Sequence, residues 1–324
     1  MGAAHKLKVA AVERRLLTEL AMRVYRPAVL LVQAFPFDDA ALASEILPLV
    51  RLARQQPGAL AVVACSLLDP LPQGGPDQPR PDQARWLTDR FFDSVLVHAD
   101  PLLVRLEDGF RPQLPLATPV HYTGYVLPAR AGSAGESRGQ HVLVSAGDGR
   151  RGEALFSTAL QARALLREPP PMRIIAGPLL PQAQWKALER EASRAEGVQL
   201  VREAPDMLSE MRQARASISQ CGHDVARDIV LSGVPALVVP HETANENEER
   251  ERAKRLVAEG ALRRVDATGL SAARLAEEID RLLAFAPQAV ALNLDGATHC
   301  AQRLHRLHAA AWVASEAWTS GTPA

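Results

Sequence analysis

Apolar runs and helical patterns alternate along the chain from residue 141 to residue 265. Each run is almost continuously apolar, which indicates strands of a parallel sheet covered by helices on both faces. The predicted strands occupy residues 141–146, 172–176, 198–201, 216–219, 236–239 and 262–265. The helical patterns between them cover residues 153–167, 182–195, 205–215, 224–232 and 247–259. This region therefore predicts a complete doubly wound α/β domain.

The N-terminal part predicts a smaller sheet. A basic helical pattern over residues 5–23 opens it. Short strands are predicted at 28–32, 60–64, 94–97 and 120–124, and further helices at 39–54, 82–92 and 102–107. About four strands are few for an independent doubly wound domain, whose sheets usually have five or six.

Loops and linkers divide the chain further. Residues 69–81 are rich in Pro, Gly, Asp and Gln and indicate a loop, and residues 128–140 indicate a linker between domains. We therefore predict a partial N-terminal domain over residues 1–130, a C-terminal domain over 137–288 and a terminal segment over 289–318. The terminal segment, with a helical pattern over 289–314, is expected to pack back on the N-terminal domain.

Composition excludes several classes of protein. Lys+Arg and Asp+Glu balance at 37 each, so no overall charge favours nucleic acid. The three cysteines show no metal-ligand or disulfide spacing, which fits a reducing cytosol. No apolar run approaches the ~20 residues that span a bilayer, and the N-terminus does not read as a signal peptide. We expect a cytoplasmic protein whose first helix packs on its own domain, with peripheral membrane contact as the alternative.

A glycine-rich turn follows the first strand of the complete domain. Gly147, Asp148 and Gly149 begin a Gly-x-Gly-x-x-Gly pattern, whose backbone amides suit a phosphate. A dinucleotide-binding dehydrogenase is one alternative, but it needs an acid at the end of the second strand, and residues 175–178 have none. A plain tight turn is the other alternative.

A second turn, at Gly222, lies between a strand and a short helix. The helix start offers free N–H groups and a positive dipole end, which suit a phosphate. His223 is a candidate phosphate contact, with a surface position as the alternative. Asp224 and Asp228 are four residues apart and share a helix face, where a carboxylate can accept hydrogen bonds from sugar hydroxyls. Asp224 is favoured as an N-cap.

The second turn resembles a known family. Gly222, an acid six residues later at Asp228, Ser-Gly-Val-Pro-Ala at 232–236 and Val-Pro at 239–240 resemble the donor-site segment of family 28 glycosyltransferases. The resemblance is to a bacterial group of unassigned substrate, related to the transferase that adds N-acetylglucosamine to the lipid-linked cell-wall precursor. It implies the GT-B fold, with two Rossmann-like domains of which the N-terminal one is incomplete here. It also implies that Asp228 contacts the ribose of a nucleotide sugar.

The loop after Val-Pro extends the resemblance. Glu248 and Glu249 fall where the family has a Glu-Gln or Gln-Gln pair that reaches the donor sugar. Glu249 departs from the family's Gln, and a carboxylate only accepts hydrogen bonds whereas an amide also donates them. Tyr125, in a segment resembling the end of the family's first domain, and Arg130 after it are expected at the hinge or on phosphate. The predicted donor-binding residues are Ser145, Gly147, Asp148, Gly149, Gly222, His223, Asp228, His241, Glu248 and Glu249.

The acceptor side matches the family less well. The family's first strand and its glycine- and histidine-rich loop have no counterpart before His5, and its Arg-Asp pair appears as Cys65-Ser66. No general base is therefore assigned. The candidates near predicted strand ends are Asp38, Asp39, His98 and Asp100, each of which also reads as an ordinary surface or capping residue.

The resemblance implies transfer of a hexose or N-acetylhexosamine from a nucleotide sugar, expected to be UDP-linked, to an unknown acceptor. The acceptor classes left open are lipid-linked, small-molecule and glycan. No cofactor and no metal are expected, because a helix start can stabilise the leaving diphosphate. Three alternatives remain open: a catalytically degenerate nucleotide-sugar-binding or scaffolding protein, a longer enzyme whose start lies upstream, and a nucleotide-sugar epimerase of the same fold.

Overall fold

A computed structural model describes residues 3–37, 42–55, 62–68, 80–127, 138–241 and 248–320 of the chain. The chain forms two compact units. One unit consists of Met1–Leu127 together with Leu292–Ala324, and the other consists of Pro128–Ala291. Each unit is built on a parallel sheet of its own.

The first unit carries a short sheet on its described residues. Its elements are α1 (Ala3–Tyr25), β1 (Val29–Gln33), α2 (Ala43–Gln55), β2 (Val62–Leu67), α3 (Pro81–Phe91), β3 (Ser94–Val97), α4 (Leu106–Gly109) and β4 (Val120–Tyr122). The four strands pair in parallel in the order β1-β2-β3-β4. This sheet, smaller than the one in the second unit, confirms the prediction that the N-terminal domain is incomplete.

The second unit alternates strands and helices throughout its described residues. Its elements are β5 (Val142–Ser145), α5 (Glu153–Leu165), β6 (Met172–Ile175), α6 (Gln182–Ala192), β7 (Val198–Val201), α7 (Met207–Gln213), β8 (Ala216–Ser219), α8 (His223–Ser232), β9 (Ala236–Val238), α9 (Glu248–Ala258), β10 (Arg263–Arg264) and α10 (Ala272–Leu283). The last strand is shorter than the predicted 262–265, because only two of its residues pair with β9.

The six strands of the second unit lie in the order β10-β9-β8-β5-β6-β7, and all neighbours are parallel. This is the strand order of dinucleotide-binding Rossmann domains. The order reverses between β5 and β8, which pair directly in register. The predicted doubly wound domain is confirmed, and its topological switch point lies between these two strands.

Alternate strand residues build the core of the second unit. Val144, Ile218 and Leu237 pack in one cluster with Phe156 from α5 and Ile279 from α10. All five are completely buried. Each such side chain contributes about 1.5–3 kcal/mol of hydrophobic stabilisation. Because side chains alternate along a strand, the residues between them point to the opposite face of the sheet.

The terminal segment lies in the first unit, where α11 (Gly296–Ser320) begins later than the predicted residue 289. The helix begins later because the backbone N–H and carbonyl groups of Asn293 form hydrogen bonds with residues outside the helix. Its N–H donates to Asp100 Oδ2 at 2.9 Å, and its carbonyl accepts from Tyr125 N–H at 2.8 Å. Gly296 N–H then donates to the Tyr125 carbonyl at 3.1 Å.

Parts of several predicted segments lie outside the described residues. They include the loop at residues 69–79, most of the predicted linker at 128–137 and residues 38–41, which carry Asp38 and Asp39. The helix predicted at 102–107 is a single turn at Leu106–Gly109. In the part of the chain that is described, no helix has both the length and the apolar character needed to cross a membrane.

Two loops of the second unit pack backbone against backbone. Gly149, after β5, has a φ of +90°, and a Cβ there would lie 2.1 Å from the carbonyl oxygen of Ala176. Leu179 N–H donates to the Asp148 carbonyl at 2.8 Å, which joins the same two loops. Gly147, two residues earlier, has a φ of +55° but open space around the Cβ position. Gly149 is therefore required for packing, whereas Gly147 leaves room beside the loop.

We predict that Gly149→Ala lowers the free energy of unfolding by about 2–4 kcal/mol, through overcrowding added to left-handed strain. The matched variant Gly147→Ala meets only the strain and loses about 1–2 kcal/mol. Urea unfolding followed by circular dichroism measures both. Equal losses for the two variants would show that the contact between the loops is not close.

Candidate functional site

The loops that follow β5 and β8 lie on either side of the switch point. Open α/β sheets bind ligands in the crevice at this point, outside the carboxyl ends of the strands. The first loop carries Gly147, Asp148 and Gly149, and the second carries Gly222. The two turns that the sequence singled out separately therefore belong to adjacent strands of one sheet.

Buried hydroxyls mark the ends of these two strands. Ser145 on β5 pairs in register with Ser219 on β8, and their exposed fractions are 2% and 0%. The Oγ atoms of both residues, and that of Ser217, are buried without a hydrogen-bond partner among the described residues. A buried polar group left unsatisfied costs about 1–3 kcal/mol, so such groups call for an explanation. Ser145 was a predicted site residue, while Ser217 and Ser219 were not, although serines alternating in an otherwise apolar strand were visible in the sequence.

Helix α8 begins directly after the second loop. Gly222 is its N-cap residue, and a Cβ on Gly222 would meet nothing within 4 Å. His223, the first helical residue, is half-buried. The first N–H groups of this ten-residue helix have no acceptor within the helix, and they carry the positive end of its dipole. A ligand with a negative charge can therefore approach the helix start closely.

Glu249 holds the turn that precedes α8. Its Oε2 accepts hydrogen bonds from the backbone N–H of Cys221 at 3.0 Å and from that of His241 at 2.8 Å. Arg252, one turn further along α9, donates to the Cys221 carbonyl at 2.7 Å. The sequence assigned Glu249 to the donor sugar. The structure shows that one carboxylate oxygen is engaged by two backbone amides and ties the loops after β8 and β9 together, while the contact with the sugar stays a prediction.

Asp228 is a buried carboxylate held by its neighbour Arg227. Its Oδ1 accepts from Arg227 Nε at 2.9 Å and from Nη2 at 2.8 Å. Arg227 Nη1 also donates to Asp224 Oδ1 at 2.8 Å, so one guanidinium joins both predicted acids. The two acids differ in exposure, since the side chain of Asp228 is 7% exposed and that of Asp224 is 76% exposed. Burial raises the pKa of Asp228, although Arg227 acts in the opposite direction.

The remaining predicted residues are more scattered. Asp148 is exposed, and its Oδ1 accepts from the N–H of Arg150 in its own loop at 3.0 Å. Glu248 is the first residue of α9, and residues 242–247 before it lie outside the described part of the chain, as does Arg130. Tyr125 belongs to the first unit and is 1% exposed, which makes it a packing residue and leaves its predicted phosphate contact without support.

Burial determines the protonation state of the Cys221 thiol. The backbone of this residue is held by Glu249 and Arg252, and its side chain is completely buried. Burial raises the pKa of the thiol to about 12, so the side chain is an uncharged, unreactive packing group. Among the described residues, no group of three or more His, Cys, Asp and Glu side chains is arranged to hold a metal ion.

Comparison with known proteins relates part of the chain to a family. Residues 151–304 match the glycosyltransferase family 28 C-terminal domain. This part of the chain therefore resembles the C-terminal domain of that family. Over 224 residues it is 30% identical to the UDP-N-acetylglucosamine–N-acetylmuramyl-(pentapeptide) pyrophosphoryl-undecaprenol N-acetylglucosamine transferase of Nitrosococcus oceani. The aligned region is 66% of this chain and 60% of that protein, so the chain spans less than two thirds of its relative's length.

Solved structures show the same fold at low sequence identity. The crystal structure of MurG from Acinetobacter baumannii matches with a TM-score of 0.50 and 16% identity, over 85% of this chain and 70% of MurG. A putative UDP-N-acetylglucosamine 2-epimerase from Listeria monocytogenes matches with a TM-score of 0.56 and 17% identity, over 89% and 76% of the two chains. The GT-B fold predicted from the sequence is confirmed.

We predict that Glu249→Ala lowers the free energy of unfolding by about 1–3 kcal/mol, because two backbone N–H groups lose their acceptor. The exposed Glu259, just beyond the end of α9, supplies the matched variant Glu259→Ala, for which we expect a change within about 0.5 kcal/mol. Thermal or urea unfolding of the three proteins checks the difference. A loss no larger than that of Glu259→Ala would contradict the bracing role.

Proposed function

We propose that this chain is a glycosyltransferase that moves a sugar from a nucleotide-sugar donor to the hydroxyl group of an acceptor. The observation that carries the proposal is the helix start at Gly222 together with two buried hydroxyls at the switch point that have no hydrogen-bond partner among the described residues. A diphosphate fits this arrangement, because the amides and the hydroxyls are donors and its oxygens are acceptors. The family 28 match over residues 151–304 supports the assignment.

The reaction follows from this donor arrangement. An acceptor oxygen attacks the anomeric carbon of the donor, and the bond between that carbon and the diphosphate breaks. The electron pair of this bond goes to the diphosphate, whose negative charge grows in the transition state. The N–H groups at the start of α8 stabilise that charge, and the hydroxyls of Ser145 and Ser219 donate hydrogen bonds to the same group. We expect the step to need no metal ion.

Asp228 is proposed to bind the ribose. Arg227 holds Oδ1 of its carboxylate in one orientation, and a fixed acceptor suits the two hydroxyls of a ribose. Such an interaction is favourable because the carboxylate is already ordered and desolvated before the nucleotide arrives. Glu248, beside the undescribed residues 242–247, remains our candidate for the sugar contact.

The donor class rests on the curated relative. The name of the Nitrosococcus oceani protein gives UDP-N-acetylglucosamine as its donor and a lipid-linked muramyl pentapeptide as its acceptor. We propose a UDP-sugar donor for this chain and take UDP-N-acetylglucosamine as the first to test. The acceptor is proposed only as a hydroxyl compound. The family match favours an active transferase over a degenerate binding protein.

We predict that UDP binds to the purified chain and that Asp228→Asn weakens the binding about 10-fold or more, since a hydrogen bond to a charged group contributes about 1.5–3 kcal/mol. The matched variant Asp224→Asn removes an exposed carboxylate that contacts the same arginine, and it should leave the affinity within about twofold. Calorimetric titration with UDP, UDP-N-acetylglucosamine, TDP and GDP measures these affinities.

Two outcomes would count against the proposal. If none of the four nucleotides binds, the chain has no donor site and the transferase assignment fails. If UDP binds but both variants lose affinity equally, Arg227 rather than Asp228 carries the interaction, and the ribose contact must be reassigned. Unfolding curves measured for both variants distinguish a loss of UDP binding from a loss of folded structure.

A further inference from the structure

A pocket of about 120 Å³ lies between α5 and α6, which pack against each other in the second unit. The residues that α5 contributes to its wall are Glu153, Phe156 and Ser157, at positions i, i+3 and i+4, which share one helix face. The residues from α6 follow the same spacing and are Gln184, Ala187, Leu188 and Glu191. Leu180, from the loop before α6, completes the lining. Two matching helix faces therefore enclose a space that the sequence did not single out.

The size of the pocket limits what it can hold. One water needs about 10–15 Å³ of such space, and pockets for drug-sized ligands have about 300–1,000 Å³. The pocket is therefore too large for one water and suits a short aliphatic group. Ala187 is an exposed residue that lines the pocket, and its single methyl group leaves the space open, because a longer side chain there would fill it.

The floor of the pocket is apolar. Phe156, Leu180 and Leu188 are 0%, 1% and 6% exposed and belong to the hydrophobic core of the second unit. An aliphatic chain gains free energy by displacing water from such a surface, whereas a small hydrated ion does not. A metal ion is also disfavoured, because within the described ranges no three or more His, Cys, Asp and Glu side chains are grouped to hold one. We therefore expect a ligand that carries a carbon chain.

The carboxylate of Glu191 keeps unused capacity to accept hydrogen bonds. Its Oε1 and Oε2 each lie 3.3 Å from Ser157 Oγ, which itself accepts from Gln161 Nε2 at 3.1 Å. A hydroxyl has a single proton, so Ser157 can donate to only one of the two oxygens at a time. The other oxygen of this half-buried carboxylate is then available to a ligand in the pocket.

The buried side-chain oxygen of Gln184 lacks a donor. This Oε1 belongs to a residue that lines the pocket, and it has no hydrogen-bond partner among the described residues. Native structures rarely leave a buried acceptor unsatisfied, so such a group indicates a missing donor. Glu153, exposed in the first turn of α5, places a second carboxylate at the pocket, and none of the residues that line it is Lys, Arg or His. The ligand must therefore bring both hydrogen-bond donors and positive charge.

We propose that this pocket binds a primary aliphatic amine. An ammonium group has three N–H donors and no acceptor, which complements the oxygens of Glu191, Glu153 and Gln184. Its charge is balanced by the two carboxylates, and its carbon chain lies on the apolar floor. The amine site is independent of the proposed transferase function and shares no residue with the donor site. The same group occurs in a free amine and in a lysine side chain, and the test distinguishes these two sources.

Titration of the nitrogen-15-labelled chain with butylamine tests the proposal, with the backbone amide signals of α5 and α6 as the readout. We expect a dissociation constant of about 1–10 mM, because the ligand has few atoms. Two control ligands separate its parts. Butanol has the same chain without the charge, and ammonium chloride has the charge without the chain. Each should bind at least about 10-fold more weakly than butylamine.

Substitutions in the pocket should remove the binding and keep the fold. Glu191→Gln weakens butylamine binding about 10-fold or more, because a charge-assisted hydrogen bond is lost. The matched control Glu189→Gln changes an exposed carboxylate of α6 that does not line the pocket, and its affinity stays within about twofold of the wild type. Ala187→Leu fills the pocket and abolishes binding, whereas the matched control Ala273→Leu, at an exposed position on α10, leaves it unchanged.

Three results would overturn the proposal. The first is the absence of signal changes in α5 and α6 at about 100 mM butylamine, well above the weakest dissociation constant expected. The second is equal affinity for butylamine and either control ligand, since the pocket would then not recognise a charged group on a chain. The third is equal affinity of butylamine for the wild type and Ala187→Leu, which would place the amine elsewhere. Should Ala187→Leu fail to fold, a loss of affinity in Glu191→Gln that is absent from Glu189→Gln is required for the amine site to stand.

Titration with Nα-acetyl-lysine amide identifies the source of the amine. Binding tighter than that of butylamine supports a lysine side chain of a peptide as the ligand, and weaker binding supports a free amine. UDP affinity should stay within about twofold in the pocket variants, because no donor-site residue is changed. Failure of the amine site would therefore leave the proposed transferase function standing, and absence of UDP binding would leave the amine site standing.

Discussion

The direct pairing of β5 with β8 is the constraint on which the proposed donor site of this protein depends. Because both strands run parallel and the strand order reverses between them, their carboxyl ends open side by side, with helices departing to opposite faces. Two loops far apart in sequence thereby become neighbours. The close contact of Gly149 with Ala176 and the short turn before Gly222 keep the backbone of each loop near the strand ends. The start of α8 and the buried hydroxyls of Ser145 and Ser219 thereby lie at the carboxyl ends of two adjacent strands.

Polar groups at strand ends behave differently in the two units. In the second unit, Ser145 and Ser219 are buried and lack a partner among the described residues, which suits groups that await an acceptor oxygen. In the first unit, Ser66 and Thr123 are joined through His98, so each polar group there is satisfied internally. An open set of donors suits the binding of an anion, whereas a chain of side chains that satisfy one another holds those side chains in place.

Helix α9 supports the loops that we propose as the donor site. A carboxylate can only accept hydrogen bonds, so Glu249 is well suited to collect two backbone N–H groups, and Arg252 complements it by donating to the carbonyl of Cys221. This arrangement gives a physical account of why an acid at Glu249 is compatible with the fold, although the resemblance noted in the sequence implies glutamine there. Glu249 fixes the loop beside the helix start, while its contact with the donor sugar stays a prediction.

The sequence by itself determined the fold class and singled out the two turns that we propose as the donor site. Six near-continuous apolar runs separated by helical patterns specify a parallel sheet, because only strands buried on both faces tolerate such composition. The glycine turns at Gly147 and Gly222 were visible for the same reason, since each follows a strand and precedes a helix. The late start of α11 was not visible, because it depends on contacts that Asn293 makes with Asp100 and Tyr125, far away in the chain.

Only the tertiary structure decided which polar residues work together. Ser66, His98 and Thr123 lie on three different strands and form no motif in sequence, so their hydrogen bonds follow from strand register alone. The same holds for the pairing of Ser145 with Ser219 and for the two backbone amides that Glu249 accepts. Local pattern specifies which elements form and which faces they bury. Contacts between elements depend on register and order in the sheet, which the periodicity of a single strand does not carry.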